Sequence, residues 1–219
     1  MSVFLCDIKW MTRVKRGHTR TIRQMNLPVH TTDTLLLDHY QGESIVDTFI
    51  HTILFHRLTL GRTVKPKETT NPIYDSLYYV KIADEEVEER VKEQVAQTMM
   101  TLRERASGTV ALVFYHIQPS SGWFKKEERT EVEKWRIPVQ WYETYDRSVS
   151  HGAKEERVRR AYESLLRTLM SVTLEPVLFS QGSLHSYSLP FEVMDSDKRN
   201  SLKEILQFIV SGPPKLGLF

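Results

Sequence analysis

Eight histidines and one cysteine, Cys6, hold much of the chemistry that this 219-residue chain could direct to catalysis or metal binding. Their spacing argues against both. His51 and His56 lie five residues apart in a helical pattern, which sets them about 140° apart around the axis, so they cannot share a metal as an i, i+4 pair could. His116 and His185 fall near the ends of strand patterns and could act as bases, but no serine has the turn context of a nucleophile. Both read as histidines satisfied at the rim of a core. Glu85, Glu86, Glu88 and Glu89 spread around the solvated side of a helix, where a shared-proton carboxylate pair does not form. Nothing beside Cys6 would lower its pKa, and a lone cysteine fits a reducing compartment and an inert thiol. The chain has no glycine-rich phosphate loop, no G-x-S-x-G elbow and no paired cysteine ligands. No catalytic residue, metal or cofactor is expected.

Trp123 and Phe124 resist this bland reading. They stand adjacent in the polar stretch from Gln118 to Glu133, outside any hydrophobic period and directly after the turn formers Pro119, Ser120, Ser121 and Gly122. Large aromatics at a loop tip either fold back onto the core or are used by a partner, and tryptophan is among the residues most enriched at interface hot spots. From the residues alone both readings stand.

The elements that would position this loop interleave strands and helices. Leu35–Leu37 reads as a short strand, and Ile45, Val46, Phe49, Ile50, Ile53 and Leu54 mark an amphipathic helix from Gly42 to near Gly61. Residues 61–72 read as a polar loop, followed by a strand through Tyr78, Val80 and Ile82. Asp84 is placed to cap a second helix, whose stripe is Val87, Val91, Val95, Met99 and Leu102, with Gly108 as its stop. Thr109–Ile117 is apolar on both faces, as a strand covered on both sides would be. Trp135, Ile137, Val139 and Trp141 then share one face of a strand that Pro138 assigns to an edge or to a bulge. A third helix runs from about Ala153, with Val158, Tyr162, Leu165, Leu169 and Val172 on one face, until Pro176 ends it. Tyr187–Val193 alternates as a strand, and Leu202, Ile205, Leu206 and Ile209 suggest a short helix before Gly212. Strands and helices share one core with hairpin-like connections, which favours an α+β domain over a doubly wound parallel sheet.

Composition agrees with a globular domain. The chain is 40% hydrophobic and 26% charged with a formal charge of +2, and its apolar runs fall far short of the roughly 20 residues that a transmembrane helix needs. Charge is uneven: Lys9, Arg13, Lys15, Arg16, Arg20 and Arg23 face Asp7 alone in the first 30 residues. That leader fits a solvated, poorly ordered extension, a weak mitochondrial presequence, or an arm drawn to nucleic acid or anionic lipid. A rival functional reading follows, in which a small mitochondrial or nucleic-acid-associated protein acts through this leader.

The run His51-Thr52-Ile53-Leu54-Phe55-His56-Arg57, the strand Tyr78–Ile82, the Trp123-Phe124 loop and the Ile137-Pro138 strand, in this order and spacing, resemble the autophagy-related protein 101 family. Its members are HORMA-domain subunits of the autophagy-initiation kinase complex. The resemblance implies a HORMA-like α+β fold, an antiparallel sheet with three main helices packed on it and a C-terminal strand and helix, over residues 34–219 behind a basic extension at 1–33. It implies a non-catalytic adaptor that pairs with the HORMA domain of autophagy-related protein 13 and stabilises it among the other subunits of the kinase complex. Trp123 and Phe124 would form a finger recruiting downstream autophagy factors, on a cytoplasmic protein brought to the phagophore assembly site, with no nucleic acid as partner. The sequence departs from the family in its basic first 30 residues, and in lacking the residue that animal members carry between the two aromatics.

Overall fold

The computed structural model describes residues 11–15, 18–22, 27–58, 65–118, 128–142, 149–172 and 191–197. In chain order its elements begin with β1 (Met11–Lys15), β2 (His18–Ile22), β3 (Val29–Thr31), β4 (Leu35–Leu37) and α1 (Gly42–Leu58). They continue with β5 (Pro66–Thr70), β6 (Tyr78–Ile82), α2 (Glu85–Leu102), β7 (Ser107–Gln118), β8 (Glu128–Trp141), α3 (His151–Ser171) and β9 (Phe191–Asp195). The fold is α+β, as the sequence suggests, with three helices among the described residues. A β1–β2 hairpin lies within the basic leader, and β3, also from the first 33 residues, joins the main sheet.

That sheet is mixed where an antiparallel one is expected. β9, β7 and β8 pair antiparallel in that order, while β3 and β4 both lie parallel to β8 on its other side, one beyond the other. β8 is therefore an interior strand, which corrects its edge assignment from Pro138. The amide of Lys134 donates to Pro28 O and that of Trp141 to Ala106 O, so alternation aims the Pro138 nitrogen at the β3/β4 side. There it meets the gap between the stretch paired with β3, Lys134–Arg136, and the stretch paired with β4, Val139–Trp141. A residue without an N–H fits where no acceptor strand runs. β8 does carry a bulge, but six residues earlier at Val132: Phe114 pairs with Glu133, and the next residue, Tyr115, pairs with Glu131.

Two further expectations change. Residues 61–72 contain β5, whose side chains are nearly all exposed; it forms by backbone pairing with β6, a signal that hydrophobic alternation does not carry. Gly108 does not stop α2, which ends at Leu102 with Arg103 as its cap. It belongs to β7, where a Cβ would collide with the Leu102 side chain, so glycine serves the close approach of strand to helix. Gly42 plays the same part at the start of α1, where a Cβ would lie 2.8 Å from Met99 Cε and 2.9 Å from the Trp141 ring. Of the expected C-terminal elements, Tyr187, Leu189 and the 202–209 helix lie outside the described residues, and the strand is found at Phe191–Asp195.

The core forms where the helices cover one face of the sheet. α2 buries its whole expected stripe from Val87 to Leu102, and Asp84 caps it by accepting from the amides of Glu86 and Val87. α3 starts two residues early, behind the cap Ser150, and buries Val158, Ala161, Tyr162, Leu165 and Leu169. α1 is buried nearly all round, as a helix enclosed by β6, α2 and α3 must be. The β5–β6 connection is tied to it by Asn71, which is 0% exposed. Its Oδ1 accepts from the amides of Ile73 (2.9 Å) and Tyr74 (3.1 Å), and its Nδ2 donates toward Ser44 O (3.0 Å) and Thr48 Oγ1 (2.9 Å). Asn71→Ala leaves the Ile73 and Tyr74 amides without their acceptor and removes a donor from Ser44 O and Thr48 Oγ1, which still bond to each other, so it should destabilise the domain by about 3 kcal/mol. Urea unfolding checks this, and a loss within about 0.5 kcal/mol, typical of a surface change, contradicts it.

Candidate functional site

β7 and β8 remain paired well past their neighbours. β9 accompanies β7 only from Val110 to Phe114, and β3 accompanies β8 only from Lys134. The four pairs from Tyr115↔Glu131 to Gln118↔Glu128 have no third strand beside them among the described residues. At roughly 3.4 Å per residue these pairs carry the ribbon more than about 10 Å beyond the sheet. Trp123 and Phe124 belong to residues 119–127, outside the described residues; the ribbon presents both ends of that loop at its tip. Arg129 and Thr130 on the ribbon are exposed, and Glu131 and Val132 are half-buried.

The root of the ribbon is polar and dry. A bulge bends a strand and increases its twist, and Val132 supplies one where β3 and β9 stop. Next to it Glu133, 3% exposed, shares the core face with Trp135 and Ile137. Its carboxylate accepts from Arg57 Nε at 2.8 Å and Arg57 Nη2 at 2.6 Å, a two-pronged pair with the last turn of α1, and from Trp135 Nε1. His30 of β3 packs its ring 4.5 Å from that of Trp135, with Nε2 4.0 Å from Glu133 Oε1. Burial lowers the His30 pKa, opposed by Glu133 and assisted by Arg57, so His30 is neutral at pH 7. Sequence reasoning missed this cluster, although a signal was present. The Trp135–Trp141 alternation extended back by two residues reaches Glu133, and a carboxylate at a core position requires a buried cation.

The His51–Arg57 run proves to be interior wiring. His51, 2% exposed, lies 3.7 Å from Asp47 Oδ1, and its Nδ1 has no hydrogen-bond partner. Thr52 Oγ1 donates to Thr48 O at 2.8 Å, which leaves it to accept from the Tyr162 hydroxyl of α3 at 3.1 Å. Leu54 is core, His56 is exposed, and Arg57 reaches Glu133. The two histidines thus face different surroundings. Among the described residues no three His, Cys, Asp or Glu side chains converge on a metal position. His185 and Cys6 lie outside the described residues. Of the acidic cluster, Glu85, Glu86 and Glu89 are exposed, while Glu88 pairs with Lys67 and Lys81. A shallow cleft of about 220 Å3 between β4 and α3 is lined by Leu35, Leu36, Arg157, Val158 and Ala161 together with Asp33, Thr34 and Arg160.

These residues define an α+β domain whose most distinctive surface feature is a projecting β-ribbon rooted in a buried ion pair. The family model for autophagy-related protein 101 matches residues 34–178, more than half of the chain. An autophagy-related protein 101 from Arabidopsis thaliana is 29% identical over 171 residues, covering 71% of this chain and 74% of its own length. The chain belongs to the autophagy-related protein 101 family and has an autophagy-related role. The matched span takes in α1, the whole ribbon with Trp123 and Phe124, and α3. Among the described residues no helix is long and apolar enough to cross a membrane.

The Asp47–His51 pair yields a test by pH. Burial is the leading cause on both groups: it pushes Asp47 up from 3.8 to about 6 and His51 down from 6.5 to about 4, with Lys81 and Glu88 acting on each in opposite senses. Between these values the folded pair holds one proton, on Asp47, and the unfolded pair also holds one, on His51. Their contributions to the pH dependence of stability therefore nearly cancel. Removing one partner uncovers the other. In Asp47→Asn the unfolded state binds the extra proton on His51, so stability should rise with pH from about 4 to 6.5. In His51→Phe the folded state binds the extra proton on Asp47, so stability should fall as pH rises from 3.8 to about 6. Urea midpoints across this range should show slopes of opposite sign.

Proposed function

We propose that this protein is a non-catalytic adaptor of HORMA-like fold that pairs with the HORMA domain of autophagy-related protein 13 and stabilises it within the autophagy-initiation kinase complex. It acts in the cytoplasm, is brought to the phagophore assembly site, and recruits downstream autophagy factors through Trp123 and Phe124 during autophagosome formation. The observation that carries this reading is the family match across the ribbon and its loop. The ribbon supports it physically, because two strands that outrun their sheet deliver a loop away from the core. An α+β core with three helices is compatible with the proposed fold.

Pairing has a thermodynamic signature. A partner that binds only the native state stabilises by mass action, by about 2.7 kcal/mol at one hundred times Kd. The Tm of the purified chain should therefore climb with the concentration of the partner HORMA domain. A Tm unchanged at saturation would remove the pairing.

The finger is tested separately by replacing Trp123 and Phe124 together with alanine. If they serve a partner, stability should change by no more than about 0.5 kcal/mol, pairing with the partner HORMA domain should persist, and starvation-induced autophagosome formation should be lost. If they are core anchors, each truncation should cost on the order of 3 kcal/mol or more, and folding and pairing should fail together. Melting temperature, pull-down and autophagic flux on the one variant separate the two cases.

A further inference from the structure

The place where the ribbon leaves the sheet coincides with the only ion pair, among those described, in which both side chains are about 5% exposed or less. β9 leaves β7 at Phe114, β3 begins beside β8 at Lys134, and the bulge falls at Val132. All three breaks lie within two residues of the Phe114↔Glu133 pair. A two-stranded ribbon with a bulge at its base has no fixed direction of its own, since bulges bend and twist a strand locally. Its direction must come from contacts at the root.

Glu133 supplies them from three sides on the core face, while on the opposite face the Tyr115 hydroxyl donates to Glu192 of β9 at 3.0 Å. Arg57 Nε and Nη2 grip the two carboxylate oxygens from α1, Trp135 Nε1 binds from the same strand, and His30 of β3 closes the remaining side at 4.0 Å. A buried ion pair is not a strong source of stability, because an apolar pair of similar volume often does as well or better. What a bidentate guanidinium–carboxylate pair adds over apolar contact is geometry: two parallel bonds in one plane fix orientation as well as distance. We infer that the Arg57–Glu133 pair, with Trp135 as its third arm, is the positioning element that sets the direction of the β7–β8 ribbon and hence where the Trp123–Phe124 loop is presented. The presentation of the loop rests on the recruitment reading above, whereas the direction of the ribbon does not.

An apolar root tests this. The triple variant Arg57→Met, Glu133→Leu, Trp135→Phe removes the guanidinium, the carboxylate and the indole N–H that bonds to it together. The helices and the central sheet should keep their amide protection, while exchange at the ribbon residues Tyr115–Gln118 and Glu128–Glu131 should rise about tenfold. In a Cys6→Ser background, spin labels at Thr130→Cys on the ribbon and Glu93→Cys on α2 should give a distance distribution at least about twice as broad in the variant. Exchange and width unchanged from the parent overturn the proposal, as does a rise in exchange spread evenly over the domain, which is what lost packing alone would give. If the triple variant does not fold, Trp135→Phe alone decides: it keeps the ion pair and removes one arm, and must still broaden the distribution. A ribbon that loosens while starvation-induced autophagosome formation continues would sustain the positioning role and count against recruitment through the loop.

Discussion

A guanidinium and a carboxylate withdrawn from water must meet each other, and that demand organises this molecule. Desolvating either ion costs several kcal/mol, and leaving one unpaired costs more than most single changes to a core. Arg57 and Glu133 are separated by 76 residues, yet they meet with two bonds below 3 Å. Apolar packing would tolerate small slips of α1 over the sheet; the ion pair does not. It joins the last turn of α1 to the bulged end of β8 and, through Trp135 and His30, draws in the neighbouring parallel strand.

α1 shows how such directional links divide the work with burial. Most of its surface is apolar and enclosed, which supplies the bulk of the driving force without specifying rotation or register. Three polar contacts spaced along it supply those. Ser44 and Thr48 receive Asn71 from the β5–β6 connection, Thr52 receives Tyr162 from α3, and Arg57 reaches Glu133 on β8. The β5–β6 connection, α3 and β8 are thus pinned to the helix at three different heights by groups that could not be left unsatisfied. Thr52 and Arg57 of the His51–Arg57 run make this visible in sequence, because they interrupt an apolar helix with side chains that have partners on other elements.

Legibility followed the range of the interaction. Helix periodicity and caps are local, and α2 emerged from Asp84 to Leu102 with its buried stripe intact; α3 did so with its first turn two residues early. Strand partners are not local. Leu35–Leu37 was readable as a strand, but its parallel seat beside Val139–Trp141 depends on a chain segment a hundred residues away. Pro138 gave a true constraint, that nothing accepts from its nitrogen, and an outer edge, a bulge, or a gap between two short strands each satisfies it. At Pro138 the gap between β3 and β4 is the one that holds. Glu133 was hidden for a related reason, since alternation marks apolar positions and passes over a charge on the same face. Trp123 and Phe124 were conspicuous because no period claims them, and what the fold adds is the ribbon that leads to their loop.

The sheet closes its edges unevenly, and the unevenness bears on how the protein meets others. On the outer side of β9, Arg90 donates to Phe191 O at 2.8 Å, Gln94 accepts from the Val193 amide at 2.9 Å, and Arg105 pairs with Asp195 at 3.1 Å. Alternate residues of that edge strand are therefore held by side chains from α2 and the turn after it, and α3 lies against β4 at the far side. Beyond the bulge no third strand accompanies the ribbon among the described residues, and the Tyr115 hydroxyl at its base donates to Glu192 of β9. Edge strands that stay uncovered in soluble proteins are protected by charge and by bulges that twist them away from flat pairing, and the ribbon has Arg129, Glu131 and the Val132 bulge. Guarding the ribbon with charge and twist rather than with a third strand leaves its strands poor templates for indiscriminate β-pairing.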